Sequence, residues 1–188
     1  MRFEQLFDVV SSTDAAVRID SRLVEGGDVF VAVPGTACDG HDFVDSAVGS
    51  GAKYVVCQEG RRIRGGGAEV VFVKNCAEAA GILAQASYGN PSRQLTNLAV
   101  TGTNGKTTAA FLVQSCIQAA GLKCGLVGTV VYDTCSGQRV DAPLTTPDSL
   151  KVAELSREMV ENGARFMVTE ASSHALSQNR LAGVDFTA

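Results

Sequence analysis

LAVTGTNGKTT, residues 98–108, sets an apolar run against a glycine-bracketed turn and then Lys106, Thr107 and Thr108. A turn of this kind between a strand and a helix aims several backbone N–H groups, and the positive end of the helix dipole, at one small volume. Only an anion suits that field. Gly102 and Gly105, with Thr103 and Asn104 between them, let the backbone approach a ligand closely; Lys106 has the reach for β- and γ-phosphates, and the Thr107 hydroxyl can ligate Mg²⁺. The motif departs from the standard phosphate loop at one point, because Val100 stands where a glycine is expected six residues before the lysine. The competing reading is a polar helix N-terminus that happens to contain GKTT. The strand before the turn and the helix after it favour the phosphate loop.

Downstream, the pattern predicts a strand over 98–101, a helix over 106–120 stopped by Gly121, a strand over 124–131, a loop to about Pro147, a helix over 148–161 and a strand over 166–169. Upstream, DVFVAV (28–33) reads as a buried strand closed by Pro34-Gly35. A helix from about His41 ends at Gly51. Strands over 53–57 and 69–73 flank the solvated loop GRRIRGGG (60–67), and a helix over 76–88 runs into GNPSRQ (89–94), where a domain boundary is expected. Strand–helix alternation of this kind implies parallel sheets covered by helices. The expected fold class is therefore α/β, with a small domain over 1–89 and the first part of a P-loop-type parallel-sheet domain over 90–188. SGAKYVV (50–56) and NGARFMV (162–168) echo one another, which two similarly built helix-to-strand turns explain without duplication. The last residues, GVDFTA, carry no cap or polar tail, and a parallel sheet of about three strands is small for this architecture. An unfinished C-terminal side is expected.

With 188 residues, 45% of them hydrophobic, the chain can bury a substantial core. A net charge of −4 offers no global field for nucleic acid, so an anionic ligand must be held locally. MRFEQLFDVVSS lacks the basic start and long apolar stretch of a secretory signal, and no segment reaches membrane-spanning length. Six scattered cysteines with no C-x-x-C pair argue against structural zinc and for a reducing cytoplasm. Cys57 and Cys116 read as small hydrophobes.

Two further clusters, LTTPDS (144–149) and TEASSHALSQNR (169–180), fall at strand ends or helix entries, where α/β folds bind ligands. Glu170 closes a strand and can ligate Mg²⁺ opposite Thr107. Its alternative is to cap the next helix, a task Ser172 or Ser173 can also take. Ser173-His174 lacks a nucleophile elbow, which sets a hydrolase aside. Thr146-Pro147-Asp148 reads as a helix start, with Thr146 as cap and Pro147 first. IDSRLVEGGDVFVAVPGTACDGHDF (19–43) concentrates glycine and small polar residues around one strand, as loops that hold a nucleotide base do. From the residues alone, this is a Mg-nucleotide-binding α/β protein.

DSRLVEGGDVFVAVPGTACDGHDF, TGTNGKTT, LTTPDS and TEASSHALSQNR, in this order, resemble the Mur ligases, and among them those adding the third residue of the peptidoglycan stem peptide. TGTNGKTT alone would also admit a folylpolyglutamate synthase. The family loop lacks the first glycine, so the resemblance accounts for Val100. It implies an ATP-dependent amide ligase, acting in the cytoplasm as a monomer, that activates UDP-N-acetylmuramoyl-L-alanyl-D-glutamate as an acyl phosphate for attack by a free diamino acid. It further implies ATP on Gly102 to Thr108, with Lys106 and Glu170 catalytic and Mg²⁺ on Thr107 and Glu170. UDP-substrate contacts are implied at Ile19, Ser21, Thr36, Ala37, Cys38, Thr145, Thr146, Ser172, Gln178 and Arg180. The family's further catalytic groups and C-terminal domain follow the stretch matched here, so the resemblance implies an N-terminal fragment unable to complete the ligation. A non-catalytic UDP-substrate or nucleotide-binding module, and a sibling ligase, are the alternatives.

Overall fold

The computed structural model describes residues 1–35, 38–63 and 66–188. They divide into two compact units, Met1–Gly89 and Asn90–Ala188, each with its own sheet. Both units are α/β, as the strand–helix alternation predicts.

In the first unit, strands β1 (Val17–Arg18), β2 (Val29–Val31), β3 (Tyr54–Gln58) and β4 (Glu69–Val73) lie in sequence order, all parallel. Helices α1 (Phe3–Ser12) and α3 (Cys76–Ser87) pack on each other and α3 also on the sheet; Asn75 caps α3 by accepting from the Ala77 and Glu78 N–H groups. Phe30, Ala32, Val55 and Cys57 meet Val44 and Ala47 of α2 (Val44–Gly49) in a buried cluster. The helix expected from His41 is a 3₁₀ turn over Gly40–Phe43 followed by this short α2. Asp39 causes the tighter start, because its carboxylate accepts from the His41 N–H two residues on. Arg64 and Gly65 of the expected 60–67 loop lie outside the described residues. Arg61, within that loop, pairs with Asp39.

The second unit is a five-stranded sheet in the order β5-β9-β6-β7-β8, built from β5 (Thr96–Val100), β6 (Cys124–Val127), β7 (Val131–Asp133), β8 (Arg139–Asp141) and β9 (Phe166–Glu170). β5, β9 and β6 are parallel, whereas β7 and β8 are antiparallel additions, so the sheet is larger than the three parallel strands expected and is mixed. The expected strand over 124–131 stops at Val127, for a reason that lies in the site below. Helix α4 (Lys106–Ala119) covers one face over Leu98, Leu126, Phe166 and Val168, and α5 (Ser149–Glu161) the other over Val127 and Met167. Cys57, Cys76 and Cys124 are buried, and burial pushes their thiols up to about 11, about 12 and about 12. Cys116, expected as a buried hydrophobe, lies on the exposed side of α4.

Candidate functional site

Strand alternation places the key side chain. In β9, Phe166, Val168 and Glu170 share one face, the one α4 covers. Glu170 is the last of the three, so its carboxylate comes to rest at the N-terminal end of α4. β5 and β6, joined by α4, leave a one-strand gap between them that β9 fills, with Val100 opposite Glu170 on one side and Val127 opposite Thr169 on the other. The loop after β5, the turn after β6 and the end of β9 therefore meet at one sheet edge, the switch point where open α/β sheets bind ligands.

The α4 N-terminus is built for an anion. Gly105 is its N-cap at φ +79° and Gly102 sits at φ +144°, conformations that favour glycine, and no side chain caps the first turn. Residues 101–105 are exposed. The Lys106 ammonium is at the mouth of the loop, where it donates to the Gly102 carbonyl at 2.8 Å. Just inside, Glu170 is fully buried. Its Oε2 accepts from the Thr107 hydroxyl and the Thr129 hydroxyl, both at 2.9 Å, and its Oε1 accepts from the Thr129 backbone N–H at 2.9 Å. A Cβ on Gly128 would overlap Glu170 Oε1, so a side chain there would displace the carboxylate. These contacts end β6 at Val127 in place of the expected Val131: the chain must turn at 128–130 to present the Thr129 N–H to the carboxylate.

Glu170 does not cap the following helix. Ser172 does, accepting from the Ala175 N–H at 3.2 Å at the start of α6 (Ser173–Ser177). The second polar cluster is drawn to the same place. The Thr146 hydroxyl, buried, donates to the Glu170 carbonyl at 2.6 Å and accepts from the Ser172 N–H at 3.3 Å. Thr146 is thus not the cap of α5; Asp148 takes that role by accepting from the Lys151 N–H at 2.9 Å. Arg180 donates to the Thr146 carbonyl and to Gln178 Oε1, both at 2.9 Å. Tyr132 donates to the Leu144 carbonyl at 2.6 Å and so fixes the strand of chain that carries Thr145; burial pushes its hydroxyl above the usual tyrosine range. Thr107, Thr145, Thr146, Glu170, Ser172, Gln178 and Arg180, separate in sequence, converge in the second unit. Thr129 was not among the expected site residues, because the apolar run resumes at Val130 directly after the Gly-Thr pair and hides it.

In the first unit, Ile19 and Ser21 follow β1, and Cys38 lies in the turn after β2, where the Gly35 N–H donates to the Cys38 carbonyl at 2.9 Å. β1 and β2 are parallel neighbours, so these residues lie at one sheet edge. Ser21 is buried, Ile19 half-buried and Cys38 exposed. Thr36 and Ala37, expected in the same loop, fall outside the described residues. The loop is anchored by His41. Its Nε2 accepts from the Gln58 N–H at 2.9 Å, which leaves the proton on Nδ1, 2.6 Å from Asp39 Oδ1. Asp39 also meets Arg61 at 2.5 Å, and its carboxyl is held below the usual range, chiefly by the His41 ring.

Among the described residues no group of three or more His, Cys, Asp and Glu side chains could hold a metal ion, and no helix is long and apolar enough to cross a membrane. The Thr107 hydroxyl and Glu170 carboxylate form a two-ligand oxygen set, which suits a hard cation such as Mg²⁺ that takes its other ligands from water and phosphate. A buried carboxylate with only neutral donors around it fits such an ion.

Comparison with known proteins matches both units to one family. Residues 15–88 match the family model described as Mur ligase family, catalytic domain, and residues 100–188 match the Mur ligase middle domain. The chain is 44% identical over 170 residues to the UDP-N-acetylmuramoyl-L-alanyl-D-glutamate–2,6-diaminopimelate ligase of Parabacteroides distasonis, covering 90% of this chain and 35% of that protein. It is 42% identical to the ligase of the same name from Gloeobacter violaceus, covering 93% of this chain and 35% of that one. A solved structure of a 2,6-diaminopimelate ligase of that name superposes with a TM-score of 0.72 at 28% identity, over 91% of this chain and 34% of the other. The MurF ligase from Thermotoga maritima in complex with ADP superposes with a TM-score of 0.54 at 25% identity, over 88% and 33%. The chain thus spans about a third of the length of the relatives it matches.

Proposed function

Because the chain belongs to the Mur ligase family, we propose that it carries the UDP-substrate-binding and ATP-binding parts of a ligase that adds a diamino acid to UDP-N-acetylmuramoyl-L-alanyl-D-glutamate. The observation that carries this reading is the buried Glu170 carboxylate bonded to Thr107 at the mouth of an uncapped, glycine-built helix N-terminus. In this reading Gly102 to Thr108 hold the ATP phosphates through backbone N–H groups, and Lys106 moves from the Gly102 carbonyl to the terminal phosphates. Thr107 and Glu170 would hold Mg²⁺, which would supply positive charge to offset that of the substrate carboxylate and the γ-phosphate. Thr145, Thr146, Ser172, Gln178 and Arg180 orient the acidic peptide end of the substrate. Ile19, Ser21 and the 36–38 loop take its uridine end. Relatives named for 2,6-diaminopimelate support that compound as the incoming amine. The unpaired thiols support a reducing, cytoplasmic setting.

The test is ATP binding to this chain by calorimetry, with and without Mg²⁺. Wild type is expected to bind Mg·ATP, and Lys106→Ala to bind about 10- to 100-fold more weakly, the worth of a hydrogen bond to a charged group. A chain that binds no Mg·ATP, or a Lys106→Ala variant that binds it as wild type does, overturns the reading.

A further inference from the structure

Resting on the Mg·ATP reading above, we propose that Thr129 is a positioning residue that holds Glu170 for the metal and ties it to the substrate contact Thr145. The Thr129 hydroxyl lies 2.9 Å from Glu170 Oε2 and 3.2 Å from Thr145 Oγ1. A hydroxyl has one proton to give. The carboxylate is the stronger acceptor and the shorter contact, so the proton goes to Glu170 and Thr145 donates in turn to Thr129. The result is a directed relay, Thr145 to Thr129 to Glu170, in which each donor polarises the next.

The Thr129 N–H closes the second end of the same carboxylate, on Oε1, so one residue fixes both oxygens and hence the plane of the group. Gly128 supplies the room: a side chain there would push Glu170 away from Thr107. Thr107 alone reaches Oε2 only and leaves the carboxylate free to rotate. The same relay commits the Thr145 proton. A substrate group that recruits the Thr145 hydroxyl as donor withdraws it from Thr129, and the strength with which Glu170 is held changes with it. Occupancy of the substrate side and affinity of the metal side are then coupled through Thr129.

The experiment measures Mn²⁺ binding to this chain in the presence of ATP, by water-proton relaxation, for wild type, Thr129→Ser and Thr129→Val, with circular dichroism to verify folding. Valine keeps the backbone N–H and the shape but loses the hydroxyl. Loss of a hydrogen bond that orients a metal ligand costs about 10- to 100-fold in metal affinity, and that loss is expected for Thr129→Val, with Thr129→Ser within about twofold of wild type. A purely structural role would lower thermal stability and leave Mn²⁺ affinity in the folded fraction unchanged. If valine gives no folded chain, Thr129→Ala replaces it with the same expectation. Mn²⁺ affinity unchanged in the hydroxyl-free variant, while wild type binds Mn·ATP, overturns this proposal alone. Absence of Mn·ATP binding by wild type overturns the ATP reading and this proposal together.

Discussion

Asp39 shows how one carboxylate organises a loop. It accepts from the His41 N–H, from the His41 ring and from Arg61, and so joins the turn after β2 to the ends of β3 and the 60–63 segment. The hydrogen bond from the His41 ring is the largest cause of its lowered pKa. A carboxyl whose folded pKa lies below its unfolded value of about 3.9 contributes stability that is fully present above that value and is lost as pH falls through the folded one. Asp39→Asn is therefore expected to lower the melting temperature by a few degrees at pH 7, and the gap to wild type to narrow steadily as the pH is taken below about 4. A gap that stays constant over that range would show that charge is not what Asp39 contributes. Asp39 and His41 were legible as part of a polar loop, but not as a pair, because the Gln58 N–H that fixes the histidine tautomer comes from a strand 17 residues away.

At the scale of elements, what joins β6 to its neighbours is the absence of side chains. Gly125 lies under Met159 of α5, and a Cβ there would sit within the van der Waals envelope of the Met159 sulfur, a fully buried side chain. Gly125→Ala is expected to destabilise the second unit by about 1–3 kcal/mol, the usual cost of overpacking. Denaturant titration of Gly125→Ala, Met159→Ala and the double variant checks this: the double should lose less than the sum of the singles. The neighbouring Gly128 explains why the strand expected over 124–131 was too long. Val130, Val131 and Tyr132 continue the apolar run, so nothing local announces a turn; the contact that demands one is with Glu170, about 40 residues further along. The start of α5 was misread for a related reason. Thr-Pro-Asp does open the helix, but the Glu170 carbonyl recruits Thr146, and the cap passes to Asp148. The phosphate loop, by contrast, was legible because its chemistry is contained in consecutive residues.

For the whole molecule, two sheets carry two sets of candidate contacts, and each set gathers at the ends of parallel strands. What composition and periodicity conveyed was the α/β class; what they left out was strand order, and strand order decides the site. α1 was legible, since Phe3, Leu6, Phe7 and Val10 recur at helical spacing and Leu6 and Val10 are buried, whereas the two-residue β1 is too short to carry a period. In the second unit β5 and β6 are sequential in the chain yet not adjacent in the sheet, and the strand that separates them is the last to be made. Parallel pairings over such sequence distances form slowly, after the entropy of a long loop has been overcome. Amides of β9 are expected to exchange with solvent only through global opening of the unit, and those of the exposed β8 edge much sooner, which hydrogen exchange read by mass spectrometry will test. That order has a consequence in time. A chain that has formed β5, α4 and β6 already owns its phosphate loop, but it has no carboxylate to place beside it until β9 slides into the gap. The carboxylate half of the site is therefore complete only once β9 has paired with both of its neighbours.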